Sequence, residues 1–199
     1  MIGSFGPALV LKLGGSLAES GRLTGLINIV VRATLPVVVV PGGGPFADAV
    51  RAAQPQLQLT DALAHRCALL AMHQMGLVIA ARHPRFVLAG TLEDIARALV
   101  TGAIPVWLPY ALQHDDDTLP AGWTATSDAL AARLAERMGG ASVALVKSCA
   151  VCESATLEDM TIEGIVDPVF AKVVMRARLS WAVYGAGDEG RLADRLGAG

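Results

Sequence analysis

Four consecutive valines, residues 37–40, run directly into Pro41-Gly42-Gly43-Gly44-Pro45. Four β-branched residues in a row suit a strand covered on both faces, the usual state of strands in a parallel sheet. The proline and glycine run ends the strand, and residues 46–53 then resume a helical pattern. The same grammar occurs once earlier. An apolar run at residues 8–13, centred on Val10 and Leu11, stops at Gly14-Gly15-Ser16 and is followed by a helical pattern at residues 24–33. Two strand–glycine–helix units in the first quarter of the chain predict an α/β fold with a central, mainly parallel sheet.

The pattern continues along the chain. Residues 57–82, rich in Ala, Leu and Met, predict one long helix lying in a dimer interface. Short strands are expected at 86–88, 104–108, 142–146 and 181–184. Helices are expected at 92–100, 127–138, near 168–178 and at the C-terminus, with Ser127 capping the second of these and Asp128 placed favourably against the positive end of its dipole. Residues 109–124 read as a loop. No repeat or linker interrupts the 199 residues, which are expected to form one unit, 1–199.

Hydrophobic residues make up 53% of the chain and charged residues 17%, which raises the question of a membrane. The longest apolar stretches, such as residues 98–112, are broken by Thr101, Gly102, Pro105 and Pro109, short of the roughly 18 apolar residues of a spanning helix. The apolar excess is therefore assigned to core and subunit interface, with no membrane partner. No basic start of a secretory signal precedes the first apolar run, and three cysteines are an odd count for a disulfide framework, so a cytoplasmic location is expected. A net charge of −2 and a pI near 6.1 leave no basic footprint for nucleic acid.

Glycine directly after a buried strand lets backbone N–H groups approach an anion, and the following helix adds its positive end. Two such loops suit a chain of phosphates, at the strand ends where open α/β sheets hold ligands. Lys12 lies one residue before the first loop among apolar neighbours, where an ammonium is costly unless it meets an anion. Gly185-Ala-Gly187-Asp-Glu-Gly190 matches a dinucleotide motif, but nine residues after it leave no room for the second strand and ribose-binding acid. Cys149-Ala-Val-Cys152 has redox or zinc spacing without a second pair of ligands. His114-Asp115-Asp116-Asp117 suits either a solvated loop or a cation or amine site.

At Lys12-Leu-Gly-Gly-Ser16, Pro41-Gly-Gly-Gly44 and Thr126-Ser-Asp128 the chain resembles the amino acid kinase family. The stretches from Val40 through Pro-Gly-Gly-Gly-Pro-Phe-Ala-Asp-Ala-Val to Arg51, and from Trp123 through Thr-Ala-Thr-Ser-Asp-Ala to Leu130, resemble the kinases of methanofuran and methylofuran biosynthesis. Those enzymes phosphorylate [5-(aminomethyl)furan-3-yl]methyl phosphate to its diphosphate. The resemblance implies a three-layer αβα sandwich, with an acceptor-binding N-terminal half and an ATP-binding C-terminal half. Magnesium is carried by the nucleotide, with no protein metal site, and the partners are ATP and a small phosphorylated substrate in a homodimer.

The roles it implies are these. Lys12 stabilises charge on the transferring phosphoryl group, and Asp128 orients Lys12. Gly14, Gly15, Ser16, Gly42, Gly43, Gly44, Arg51, Thr126 and Ser127 hold phosphate and substrate. A second, ATP-side lysine is assigned to Lys172, with Lys147 as competitor, and the turn at Gly185 lies on the nucleotide side. The chain departs from the family at residues 146–154, where Lys-Ser-Cys-Ala-Val-Cys-Glu-Ser replaces the usual Asp-Gly turn beside the nucleotide. The expected function is an ATP-dependent kinase of the aminomethylfuran phosphate, with Asp115 to Asp117 closing over its ammonium. The alternatives are a kinase of isopentenyl phosphate or UMP, and a kinase-derived binding subunit without turnover.

Overall fold

The computed structural model describes residues 8–113 and 116–199. The first apolar run forms β1 (Leu9–Leu13) and the valine run forms β2 (Val37–Pro41), every residue of both strands being buried. Four more strands follow: β3 (Phe86–Ala89), β4 (Ile104–Trp107), β5 (Ser142–Val146) and β6 (Trp181–Tyr184). All pair in parallel, in the order β3-β4-β2-β1-β5-β6.

The helices are α1 (Leu23–Val30), α2 (Gly44–Gln56), α3 (Asp61–Ala80), α4 (Leu92–Val100), α5 (Tyr110–Gln113), α6 (Ser127–Arg137), α7 (Leu157–Ile162), α8 (Pro168–Ala177) and α9 (Glu189–Leu196). They cover both faces of the sheet, giving the three layers of the expected sandwich. Successive residues of a strand point to opposite faces. Val10, Val38, Val40 and Leu145 pack with α4, α6, α7 and α8 on one face. Leu9, Leu11, Val37 and Val39 pack with α1 and α9 on the other. This alternation assigns Lys12 to the face of Val10, the one that α6 covers.

The helix expected over 57–82 is the single helix α3, beginning later, at Asp61, and ending at Ala80. α2 runs on to Gln56, Gln58 takes a left-handed φ of 51°, and the Thr60 side chain caps α3 by accepting the Leu63 amide. α3 is long and apolar enough, by length and composition, to cross a membrane; it packs along β2, β3, β4 and α2. The loop expected at 109–124 carries the single turn α5, and the 147–167 stretch contains α7, begun by a capping box between Thr156 and Asp159.

The two glycine loops lie against each other. A Cβ on Gly42 would stand 2.3 Å from the Gly15 amide nitrogen, and one on Gly15 would stand 2.4 Å from that of Gly44. Neither contact can relax by turning a side chain, because backbone lies on both sides. Gly42→Ala is therefore expected to cost about 1–3 kcal/mol of unfolding free energy in urea. Gly190→Ala, in open space at the start of α9, should instead gain about 0.5 kcal/mol; equal effects would contradict the backbone contact.

Candidate active site

Lys12 and Leu13 pair with Leu145 and Val146, so the ends of β1 and β5 lie side by side. Lys12 comes from the first strand, and Lys147 directly follows the second. Asp128, in the first turn of α6 and 2% exposed, stands between them. Its Oδ1 lies 2.7 Å from Lys12 Nζ, and its Oδ2 accepts a 2.5 Å hydrogen bond from Lys147 Nζ. Burial alone would raise the Asp128 carboxyl, but the two ammonium groups outweigh it and hold it below the usual carboxylate range. Burial, then the charge of Lys12, push the Lys147 ammonium down, partly opposed by Asp128. Two cations thus flank one anion, and the buried Asp167 stands close enough to act on Lys147 as well.

Asp167 holds the cluster's helix in place and was not foreseen. Its Oδ2 accepts from the Thr126 amide (3.0 Å), the Thr126 hydroxyl (2.6 Å) and the Ala129 amide (3.1 Å), while its Oδ1 accepts from the Phe170 amide (2.6 Å). One carboxylate thus serves the N-termini of both α6 and α8. Asp-Pro before an apolar run is the sequence signal that could have revealed half of this role. Thr126, whose hydroxyl accepts the Asp128 amide, caps α6 in place of the expected Ser127.

A cavity of about 230 Å³ opens beside the glycine loops, lined by Gly15, Ser16, Gly43, Gly44, Arg51, Thr126 and Ser127 among the expected residues. Leu69, Met72 and Leu130 supply apolar wall, and Asp48, His65 and Trp123 line it as well. Gly14 and Gly42 have a different task. Their amides donate to the Val146 and Leu13 carbonyls at 3.2 and 2.8 Å, so they join strand ends and shape the loops, and their N–H groups are not free for phosphate. Ser16 Oγ lies 2.9 Å from Ser148 Oγ, joining the first loop to the segment after Lys147.

The second lysine at Asp128 is Lys147; Lys172 is exposed on α8 and makes no ion pair among the described residues. The Gly185 turn is also closed to an anion. Its amide donates to Asp188 Oδ2 at 2.7 Å, the Gly187 amide donates to Glu189 Oε2 at 3.1 Å, and a Cβ on Gly185 would lie 2.5 Å from the Val151 nitrogen. The glycine lets the 149–151 backbone pack closely. Cys149 and Cys152 are exposed free thiols, and no group of three or more metal-ligating side chains converges among the described residues. His114 and Asp115 lie outside the described residues. Asp116, in the same acidic run, is bound by Arg133 at 2.9 Å and Arg137 at 3.3 Å.

Residues 7–150 match the amino acid kinase family. The [5-(aminomethyl)furan-3-yl]methyl phosphate kinase of Methanocaldococcus jannaschii is 32% identical over 124 residues, which cover 61% of this chain and 56% of that relative, little more than half its length. Uridylate kinase from Archaeoglobus fulgidus superposes with a TM-score of 0.64 over 95% of each chain at 16% identity, a likeness of fold.

The charge count orders the stabilities of variants. Removing Asp128 leaves two buried ammonium groups facing each other, whereas removing Lys147 leaves a balanced pair. Asp128→Ala should lose about 3–5 kcal/mol in chemical denaturation, and Lys147→Met distinctly less. The reverse order would show that the carboxylate does not balance the cluster.

Proposed function

The chain belongs to the amino acid kinase family, and from that premise we propose that it is an ATP-dependent phosphotransferase acting on a small acceptor that already carries a phosphate. The acceptor we assign is [5-(aminomethyl)furan-3-yl]methyl phosphate, converted to its diphosphate, by similarity to the relative that bears this activity in its name. The observation that carries the reading is the buried Lys12–Asp128–Lys147 cluster beside two glycine loops and a cavity. Its two ammonium groups and the loop backbone suit a polyphosphate, so the residues fit the nucleotide. Magnesium would come bound to the nucleotide and withdraw charge from its phosphates.

In this reading Lys12 and Lys147 take up the charge spread over the transferring group, while Gly15, Gly43 and Gly44 hold the phosphates on either side. Asp128 keeps the two ammonium groups in place and takes no proton: an acceptor phosphate is ionised at neutral pH and needs no base. Its oxygen forms the new bond to the γ-phosphorus as the bond to ADP breaks. Catalysis is then positioning plus electrostatics. The residues of 1–199 act as one unit, with the acceptor on the side of the cavity and ATP toward the C-terminal half. The apolar wall at Leu69, Met72 and Leu130 gives isopentenyl phosphate a second claim on the site.

The test is ATP consumption with magnesium and the furan phosphate, isopentenyl phosphate or UMP in turn. Turnover on the furan is expected, with kcat lowered about 10²–10³-fold in Lys12→Ala. Turnover confined to another acceptor would replace the substrate; no turnover and no ATP binding would make the chain a binding subunit. Since the Lys147 pKa is lowered, its charge is lost as pH rises through that value. The alkaline limb of the rate profile should therefore fall below 10.5, the ordinary lysine value, and Lys147→Arg should move it to higher pH.

A homodimer through α3 also belongs to this reading. Leu63, Leu70 and Leu77, spaced by two helical turns, stand 46%, 49% and 55% exposed along one stripe. Light scattering should give twice the 20.6 kDa chain mass, and Leu70→Glu should halve it. A wild-type monomer would remove the dimer from the proposal. A cytoplasmic setting, where exposed Cys149 and Cys152 stay reduced, accords with all three thiols being free.

A further inference from the structure

The cavity beside the glycine loops has more chemistry than phosphate binding uses. Its far wall is built from one face of α2 and the loop before α6. Trp123 is fixed there from two sides: its Nε1 donates to Gln54 Oε1 at 2.6 Å, and the Arg51 guanidinium lies over its ring at 4.4 Å. An indole whose only N–H is already satisfied offers flat apolar surface and no polar demand. Asp48, one turn into α2, is the sole carboxylate among the described residues that line the cavity. It sits four residues, about 6 Å of helix rise, beyond Gly44, which lines the same cavity beside the glycine loops.

We propose that Asp48 recognises an ammonium group on the acceptor and that Trp123 forms the wall for its ring, so that the cavity selects planar phosphorylated amines. This rests on the reading that the cavity takes the acceptor. The acidic run after α5 cannot do this through Asp116, which is 6% exposed at its side chain and occupied by Arg133 and Arg137. Among the described residues Asp48 is paired with Arg51, 2.5 Å away in an exposed pair three residues apart on one helix. Such pairs are weak. A ligand ammonium can displace Arg51 at little cost, because the guanidinium keeps its stacking on Trp123 after letting the carboxylate go. His65, on the same wall, is pushed down by burial and stays neutral near pH 7, so it adds no competing cation beside Asp48.

The discriminating measurement is a ratio. In the wild type, kcat/KM for the aminomethylfuran phosphate is compared with that for its analogue carrying hydroxymethyl in place of aminomethyl. Asp48→Asn should lower this preference about 10- to 100-fold, the worth of one hydrogen bond to a charged group, and Asp48→Glu should keep part of it. An unchanged ratio in Asp48→Asn overturns the proposal. A second measurement does not need turnover: ligand-observed NMR of furfurylamine against furfuryl alcohol. Preference for the amine in the wild type and its loss in Asp48→Asn would uphold Asp48 even if no furan phosphate is consumed, leaving only the substrate assignment to fall. No preference in the wild type would overturn the role of Asp48 whatever the acceptor proves to be.

Discussion

A carboxylate buried between two ammonium groups is the constraint around which this molecule is arranged. Taking three charges out of water is costly, and the attraction among them offsets that cost only when the groups meet closely. Closeness here is a property of three separate elements. β1 and β5 must be neighbours for Lys12 and Lys147 to stand together, and α6 must begin over their ends for Asp128 to reach both. Asp167 secures the last condition by capping α6 and α8 with one side chain. The cluster is thus a product of topology, held beside the glycine loops and the cavity.

The glycine loops solve the complementary problem of bringing backbone to the same place. Their mutual contact excludes a side chain at Gly15 and at Gly42, while Gly14 and Gly42 spend their amides on neighbouring strand ends. Within each loop, therefore, some glycines fix the backbone and others line the cavity. That division makes the site rigid, and rigidity suits a reaction in which positioning supplies most of the rate. The motif spelled by the residues does not show this, because all the glycines of a loop look alike in sequence.

What was legible in the sequence was what local pattern dictates. Apolar runs ended by glycine gave the first two strands, and Lys12 stood out because an ammonium among apolar neighbours needs a reason. What was hidden depends on distant residues. Asp167 is an ordinary helix cap until the fold brings Thr126 to it, and nothing between residues 142 and 184 ranks Lys147 over Lys172 before the strands are paired. The start of α3 at Asp61 rather than at 57 has a local reason: Gln58 adopts a left-handed φ that a glutamine does not advertise. The acidic run at Asp116 was read as free because its arginine partners lie on α6, 17 and 21 residues on.

The segment that follows β5 is held in place through Arg22. Its guanidinium donates to the Lys147 carbonyl at 2.8 Å and the Gly185 carbonyl at 3.0 Å, and its Nε donates to Glu189 at 2.8 Å. One side chain from the loop before α1 therefore fastens the ends of β5 and β6 and the start of α9. Ser16, bonded to Ser148, adds a second tie from the same loop. The segment after β5 is thus tied to the first glycine loop through Ser16 and to the start of α1 through Arg22, and it delivers the lysine that completes the charged cluster.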